Sequence, residues 1–268
     1  KQKTAYEIPK RDWSSDVCSS DLLEEVVRAT IHQGRPGGSR FTDMSEKERS
    51  QITAEIREMR RSYGEIGLTE AIAGKDPIPL FADWLSQAAA NPYIVEANAM
   101  VLSTGGDNGI SSRTVLLKGF EMESGGCTFF TNYHSSKARA IDENPEVSLL
   151  FPWYAMERQV IITAHVTKIS RTESAEYFAS RPWSSQIGAW ASDQSTEIAD
   201  REILERRWQE FAERYPEGSS VPLPEHWGGF HALPHTFEFW QGRYSRLHDR
   251  IRFSRNDAGG WSRQRLAP

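Results

Sequence analysis

Five runs of β-forming residues follow one another between residues 99 and 169, and this succession constrains the fold more than any other feature of the chain. The runs are rich in β-branched and aromatic residues, as strands are. Turn-forming strings such as GGDNG and ESGG separate them. The five runs are 99–104, 112–120, 127–132, 147–153 and 158–169. Consecutive strands with such short connections favour an antiparallel barrel or sandwich of the Greek-key type.

Helices flank the predicted strands, so the fold class is mainly β with flanking helices (α+β). Asp76 is a candidate N-cap with Pro77 in the first turn, and Pro92 lies beyond the end of that helix. The string SEKE is a capping box that opens an earlier helix at Ser45, which runs to about Tyr63. The other predicted elements are helices at 172–192 and 200–215 and strands at 229–233, 236–242 and 249–254.

The first 22 residues do not resemble the rest of the chain. They show no apolar periodicity, and reverse translation of 1–8 and 12–22 gives strings that look like adapter oligonucleotides for short-read sequencing. We therefore interpret residues 1–22 as a translated adapter and exclude them from fold reasoning; the alternative is a natural tail. The remainder divides into an N-terminal leader and helix at 23–75 and a main domain at 76–268.

The charge and cysteine content argue against several classes of protein. The net charge is −5, whereas nucleic-acid-binding domains are usually basic. No apolar run approaches the roughly 18 residues of a membrane helix. Cys18 and Cys127 form no disulfide framework, which predicts a cytoplasmic location. Motifs such as H-E-x-x-H and G-x-S-x-G are absent, so no metal site and no serine nucleophile are predicted. We therefore expect neither a nucleic acid nor a membrane as partner.

One cationic cluster lies in the string WQGRYSRLHDRI at 240–251. If the string is a strand, alternation places Arg246, His248 and Arg250 on one face. Three cations on one face repel each other unless an anion lies against them. The cluster therefore predicts an anionic ligand.

Two further strings also carry cations in positions suited to an anion. In SRTVLLKG, Arg113 and Lys118 lie in an otherwise apolar run, although Lys118 could simply reach water at a strand end. In FFTNYHSSKARAI, Ser135 or Ser136 can cap a helix that carries Lys137, and a helix N-terminus with a lysine suits an anion. The alternative for the second string is an ordinary capped surface helix.

The string EYFASRPWSSQ carries a more specific pattern. Tyr177, Arg181 and Ser185 are four residues apart and would form one stripe of a helix, although Pro182 can break that helix and start another. Phenol, guanidinium and hydroxyl groups are the donors that a phosphate requires. Four such clusters, with no metal or nucleophile motif, suggest two phosphorylated ligands.

From about Met59 to Pro268 the chain resembles the pyridoxine (pyridoxamine) 5′-phosphate oxidase family. The matching strings are MRRSY, RTVLLKG, FFTN, ERQV, YFASRPWSSQIGAWAS, WGGF, EFWQG, RLHDR and the terminal RLAP. The resemblance implies an FMN-binding split barrel and a homodimer with FMN in the subunit interface. It also implies the oxidation of pyridoxine 5′-phosphate and pyridoxamine 5′-phosphate to pyridoxal 5′-phosphate. Hydride would pass from substrate C4′ to flavin N5, and O2 would reoxidise the flavin and give H2O2.

The resemblance also implies roles for individual residues of this chain. The FMN ligands would be Arg113, Thr114, Val115, Leu116, Phe130, Thr131, Ser136, Lys137, Gln159, Gln194, Ser195, Trp240 and Arg250. The substrate phosphate would be held by Lys118, Tyr177, Arg181 and Ser185. Arg246 and His248 would cover the pyridine ring as catalytic residues, and Arg60 and Tyr63 would help to close the site. The family usually has Arg-Lys where this chain has Ser136-Lys137, so one cation toward the FMN phosphate is missing.

Two other functions remain open at the level of sequence. A split-barrel flavin reductase, or an oxidase for another substrate, would not need the phosphate set of Lys118, Tyr177, Arg181 and Ser185. A binding module that stores FMN or pyridoxal phosphate without turnover would not need Arg246 or His248. Both sets are present in this chain.

Overall fold

The computed structural model describes residues 66–107 and 109–268, together with positions 51, 56, 63 and 64. The interpreted adapter, the capping box at Ser45 and most of the leader lie outside the described residues, as does Arg60. Within the described part of the chain, no helix is long and apolar enough to cross a lipid bilayer.

A single antiparallel sheet of nine strands dominates the described chain. The strands are β1 Ala99–Gly106, β2 Gly109–Leu116, β3 Gly119–Phe120, β4 Cys127–Asn132, β5 Glu146–Trp153, β6 Arg158–Lys168, β7 Trp227–Gln241, β8 Asp249–Arg255 and β9 Trp261–Leu266. They follow the order β2–β1–β5–β6–β7–β4–β3, with β8 paired to β7 and β9 paired to β8. Because β2 and β3 do not pair with each other, the sheet is not closed.

Six α-helices lie around the sheet in the described residues. They are α1 Glu70–Ala73, α2 Pro77–Ala90, α3 Ser136–Glu143, α4 Arg171–Ser180, α5 Trp183–Ala191 and α6 Glu202–Arg214. The caps of α2 are those expected from the sequence, since the Asp76 side chain accepts from the Ile78 N–H and Pro77 is the first residue. Ser170 and Glu173 form a complete capping box at the start of α4.

The long strand β7 organises the sheet because each of its halves has a different partner. Its first half pairs with β4, where Gly228 lies opposite Thr131. Its second half pairs with β8, where Trp240 lies opposite Arg250. Strand β6 runs along the other edge of β7 over nearly its whole length, with a register shift between Thr163 and Ala164.

The two faces of the β6–β7–β8 region differ in chemistry. One face carries apolar side chains that are fully or almost fully buried: Val160, Ile162, Phe237, Phe239, Ile251 and Phe253. Alternation therefore places Gln159, Trp240 and Arg250 on the opposite face, where each is half-buried. A second apolar cluster, centred on Phe178, Ile187 and Trp227, joins α4, α5 and α6 to the start of β7. Within the described residues, both apolar clusters therefore lie away from the sheet face that carries Trp240.

The predicted mainly β fold with flanking helices is confirmed, with corrections to single elements. The predicted strand 112–120 is two strands, since Leu117 and Lys118 separate β2 from β3. The predicted strands 229–233 and 236–242 are one strand, β7, which continues through Pro234. Strand β9 was not predicted because its sequence, WSRQRL, is mostly polar and exposed.

Two further corrections concern segments with predicted binding residues. The predicted helix 172–192 is α4 and α5, and Arg181 ends α4 instead of lying within one continuous stripe. Residues 246–248 are not part of a strand, because Tyr244–Arg246 is a 3₁₀ turn and β8 begins at Asp249. The alternation argument for Arg246, His248 and Arg250 was therefore wrong.

Candidate functional site

The first polar cluster, here called the Lys137 cluster, lies at the end of β4. Strand β4 supplies Thr131, the start of α3 supplies Ser135 and Lys137, and the loop after α5 supplies Gln194. The Lys137 ammonium donates to Thr131 Oγ1 at 3.0 Å, to Gln194 Oε1 at 3.2 Å and to Ser135 Oγ at 3.3 Å. Thr131 Oγ1 also lies 3.1 Å from Gln194 Oε1.

These contacts explain why a lysine can be buried at the first turn of α3. Lys137 is only 8% exposed, and a buried ammonium is costly unless oxygen atoms surround it. These oxygens hold the ammonium beside a helix N-terminus, which itself favours anions. Ser135 occupies the N-cap position but its side chain makes no capping hydrogen bond.

The second group, here called the Tyr177 cluster, is an aromatic stack with a cation on it. The rings of Phe130 and Tyr177 stack at 3.8 Å, and Phe130 also stacks on Trp227 at 5.4 Å. The Arg181 guanidinium lies over the Trp227 ring at 4.7 Å. Ser185 is buried, and its Oγ has no hydrogen-bond partner among the described residues. A buried hydroxyl in that state calls for a ligand or a water.

A third group, here called the Trp240 cluster, comprises Tyr63, Gln159, Trp240, His248 and Arg250. Gln159, Trp240 and Arg250 lie opposite one another on β6, β7 and β8 and form one row. The Trp240 and His248 rings are 4.7 Å apart. The Tyr63 ring meets both edge-on, at 5.7 Å from Trp240 and 5.2 Å from His248.

The turn before β8 fixes the tautomer of His248. The backbone N–H of Arg243 donates to His248 Nδ1 at 3.0 Å, so this nitrogen carries no proton in the neutral ring and Nε2 carries it. Burial, and then the charge of Arg246, hold the pKa of His248 below its usual value of 6.5. His248 therefore offers an Nε2–H donor at neutral pH. Ser245 and Arg246 both have left-handed backbones, with φ of 56° and 60°.

An acidic residue in this region was missed by the sequence argument. Glu238 accepts from Arg250 Nε at 2.9 Å and from Arg252 Nε at 3.1 Å, and it is buried. Part of the charge of the row is thus balanced inside the protein. The sequence does contain a pattern that indicates this ion pair. Glu238 is an acidic residue in one predicted strand, and the next predicted strand carries Arg250 and Arg252 on one face.

The Lys137 and Trp240 clusters lie far apart within one chain. Thr131 is opposite Gly228, near the start of β7, and Trp240 is near its end. Gly228 and Trp240 are 12 positions apart (240 − 228), which is about 40 Å of strand at ~3.3 Å per residue. Along an extended strand this exceeds the length of one small ligand, which favours a site that takes the two clusters from different protomers.

Comparison with known proteins identifies the family. The model for "Pyridoxamine 5′-phosphate oxidase" matches residues 86–215, and that for "Pyridoxine 5′-phosphate oxidase C-terminal dimerisation region" matches residues 227–268. A pyridoxine/pyridoxamine 5′-phosphate oxidase of Streptomyces avermitilis is 47% identical over 78% of this chain and 95% of its own length. A protein of the same name from Prochlorococcus marinus is 49% identical over 80% of this chain and 96% of its own.

The chain belongs to the pyridoxine/pyridoxamine 5′-phosphate oxidase family. Solved structures agree with this and confirm the split-barrel fold. PhzG from Burkholderia lata, solved with tetrahydrophenazine-1-carboxylic acid, has a TM-score of 0.70 and 28% identity over 78% of this chain and 100% of its own. A related FMN-binding protein from Nostoc punctiforme has a TM-score of 0.56 and 19% identity over 71% of this chain and 96% of its own, and supports the fold alone.

The family resemblance also implies that residues of the RTVLL string bind FMN. In the structure, their side chains lie on two opposite faces of β2. Arg113 faces Leu102 and Thr104, and its guanidinium donates to the Leu102 carbonyl at 3.1 Å and to Thr104 Oγ1 at 2.8 Å. Burial holds the pKa of Arg113 below its usual value. Thr114 and Leu116 alternate with it on the opposite face of β2, while Val115 shares the face of Arg113.

The remaining candidate residues lie at exposed positions. Lys118 follows β2, and its backbone N–H donates to the Thr128 carbonyl at 2.8 Å. Ser195 has a left-handed backbone with φ of 71° in the loop after α5. Ser136 Oγ lies 3.3 Å from the Arg139 guanidinium, one turn further along α3.

Proposed function

We propose that this chain is an FMN-dependent oxidase that converts pyridoxine 5′-phosphate and pyridoxamine 5′-phosphate to pyridoxal 5′-phosphate, with O2 as acceptor and H2O2 as by-product. Membership of the family and the names of relatives that are 45–49% identical over about four-fifths of the chain support this activity. The proposal includes a homodimer, a cytoplasmic location, a main domain at 76–268 and an adapter origin for residues 1–22.

The structural observation that supports the proposed site is the separation of the Lys137 and Trp240 clusters along β7. A complete site needs the Lys137 cluster of one protomer and the Trp240 cluster of another, because a single protomer holds them too far apart. The Trp240 cluster also lies within residues 227–268, apart from Tyr63 and Gln159, and those residues match a dimerisation region. We therefore expect FMN to bind in the subunit interface.

The residues present fit a flavin mononucleotide. The buried Lys137 ammonium beside a helix N-terminus suits a phosphate dianion, and Thr131, Gln194 and Ser195 add polar groups around it. The proposed FMN ligands are Arg113, Thr114, Val115, Leu116, Phe130, Thr131, Ser136, Lys137, Gln159, Gln194, Ser195, Trp240 and Arg250. When bound, FMN supplies the two-electron redox chemistry, and the protein supplies binding and orientation.

The Tyr177 cluster is the proposed site of the substrate phosphate. Arg181 supplies a charged donor that lies over the Trp227 ring. Ser185 supplies a buried hydroxyl without a partner among the described residues. Lys118 and Tyr177 complete the set. A phosphorylated substrate would explain why cationic and hydroxyl groups lie beside an aromatic stack in this part of the chain.

The turn before β8 is proposed to cover the substrate ring. Arg246 brings a cation, and neutral His248 brings an Nε2–H donor, to the polar atoms of the pyridine. Tyr63, packed edge-on against Trp240 and His248, would exclude water together with Arg60. These groups would bind and orient the substrate, and bound FMN would supply the redox chemistry.

One assay tests the proposal. Purified protein loaded with FMN should release one H2O2 for each pyridoxal 5′-phosphate formed from pyridoxamine 5′-phosphate, and should turn over unphosphorylated pyridoxamine much more slowly. A flavin reductase would instead consume NADH or NADPH with free flavin, and a storage protein would bind FMN without releasing peroxide. Either of these results would overturn the proposal.

A further inference from the structure

Glu157 lies in the turn between β5 and β6, outside the proposed set of FMN and substrate ligands. Glu157 follows the 3₁₀ turn Tyr154–Met156 and has a left-handed backbone, with φ of 56° and ψ of 35°. Few non-glycine residues adopt this conformation, and those that do are often held by their surroundings. The contacts of Glu157 show what holds it.

Glu157 joins the end of β7 to the segment before α1. Its carbonyl oxygen accepts from the Gly242 N–H at 2.7 Å and from Gln241 Nε2 at 3.2 Å. Its carboxylate oxygen Oε2 accepts from the Gly64 N–H at 2.8 Å. One residue thus binds two backbone segments that are far apart in sequence, and a charged acceptor makes the bond to Gly64 a strong one.

The residue next to Gly64 is Tyr63, which reaches the Trp240 cluster. Gly242 makes this approach possible, since a Cβ atom there would lie 2.6 Å from Tyr63 Cδ1 and 3.1 Å from Glu157 Cβ. Glu157, Gly242 and Tyr63 are therefore packed together. The Tyr63 ring is held edge-on at 5.2 Å from His248 and 5.7 Å from Trp240.

We infer that Glu157 is a positioning residue for the oxidase reaction: its carboxylate binds the Gly64 amide and so holds the Tyr63 ring against His248 and Trp240. The inference rests on the proposed function, because it gives Tyr63 and His248 their part in covering the substrate. Glu157 itself is assigned no contact with substrate or flavin. A second tether, from the Leu68 N–H to Asp249 Oδ2 at 2.9 Å, fixes the same segment further along.

Two substitutions at Glu157 distinguish the hydrogen bond that its carboxylate accepts from the packing of its side chain. Glu157→Gln keeps a side-chain oxygen that can accept from Gly64, whereas Glu157→Ala removes it. We expect Glu157→Ala to raise KM for pyridoxamine 5′-phosphate about tenfold, the effect of losing one hydrogen bond to a charged group. We expect kcat, FMN affinity and the unfolding temperature to change little. Glu157→Gln should lie between the wild type and Glu157→Ala, because its neutral oxygen still accepts from Gly64 but binds less strongly than a carboxylate.

A double-substitution cycle with Tyr63→Ala tests whether Glu157 acts through Tyr63. If it does, Glu157→Ala has no further effect on KM once Tyr63 is alanine. A full additional effect in that background would overturn the inference, as would a Glu157→Gln variant as impaired as Glu157→Ala. An unchanged KM in Glu157→Ala would overturn it as well.

Hydrogen exchange gives a result that does not depend on turnover. Amide exchange in a peptide that contains residue 64 should be faster in Glu157→Ala than in the wild type or Glu157→Gln. Equal exchange in all three proteins would overturn the inference. If the wild type releases no peroxide, the proposed function fails, while the exchange comparison still decides whether Glu157 holds this segment.

Discussion

Lys137 and Arg181 are cations that the protein keeps 8% and 9% exposed, respectively. Burial of a charge is costly, and each side chain has a different compensation. Lys137 donates to hydroxyl and amide oxygens, and the Arg181 guanidinium lies over the Trp227 ring. Hydroxyl groups and aromatic rings thus accompany both cations, and such groups also suit the binding of a phosphorylated ligand.

At Arg181 we predict a loss of substrate binding without a loss of cofactor. Arg181→Ala should remove a charged hydrogen bond worth about 1.5–3 kcal/mol and raise KM for the phosphorylated substrate roughly 10- to 100-fold. FMN content should stay at the wild-type level. Arg206→Ala, an exposed arginine on α6, is the matched control and should change neither quantity. An equal loss of FMN in Arg181→Ala would show that the Tyr177 cluster serves the cofactor instead.

Ser136 is where this chain departs from the family, and Arg139 lies beside it. We predict that Ser136→Arg tightens FMN binding several-fold, because a charged hydrogen bond exceeds a neutral one by about 1 kcal/mol. The gain should shrink at high salt, since Ser136 is exposed. Titration of apo-protein with FMN measures it. If Arg139 already supplies the missing charge, the gain will be larger in an Arg139→Gln background; no gain in either background would place the phosphate elsewhere.

At the scale of elements, the sequence predicted the strands whose packing is regular. β4 and β5 match the prediction closely because their runs of apolar residues lie in the core. β7 could not be predicted as one strand because it contains Pro234, and a proline in a sequence usually marks the end of a strand. The register shift between β6 and β7 beside Pro234 depends on strand pairing. β9 has no apolar face that the sequence could show, since it forms an edge of the sheet and its arginines bind Glu70 of α1.

Part of the candidate site, like part of the fold, could be predicted from the sequence. The cationic and hydroxyl residues around Lys137 and Arg181 could be predicted because their residue types and spacing are local features of the sequence. The turn at Ser245 and Arg246 was not visible, since left-handed backbones at non-glycine residues depend on tertiary contacts. The partners of Arg250 and the position of Glu157 depend on strand register, which a single sequence does not show.

Between α1 and β9 we predict a stabilising ion pair that acid removes. Arg265 Nε donates to Glu70 Oε1 at 2.6 Å, and this bond lowers the pKa of Glu70 from 4.5 to about 2. A carboxyl with a lowered pKa stabilises the fold above pH 4.5, and its contribution disappears as the pH falls toward 2. Glu70→Gln should therefore unfold at a lower temperature than the wild type at pH 7, and the difference should close in acid. Glu213→Gln, at an exposed position of α6, is the control. A difference in unfolding temperature that does not vary with pH would contradict the assignment.

At the scale of the whole molecule, the length of β7 determines how a site can be built. The strand separates the Lys137 and Tyr177 clusters, which flank the end of β4, from the Trp240 cluster. Among the described residues, the apolar core lies on the opposite face from Trp240, and the region 227–268 matches a dimerisation region. A two-fold dimer brings the start of one β7 and the end of the other to the same place if the strands cross in opposite directions. Each dimer would then contain two equivalent sites.

Subunit complementation tests this arrangement. Arg181→Ala damages the Tyr177 cluster and Arg246→Ala damages the turn near the Trp240 cluster, so each variant alone should be nearly inactive at low substrate concentration. In a mixed dimer, one of the two sites would take both of its clusters from undamaged parts. Random mixing by co-expression makes half of the dimers mixed, so activity should recover to about a quarter of the wild-type value. Arg181→Ala mixed with Ser185→Ala is the control and should show no recovery, because both changes damage the same cluster. If the first mixture also shows no recovery although mixed dimers form, each site is built within one subunit and the shared-site proposal is wrong.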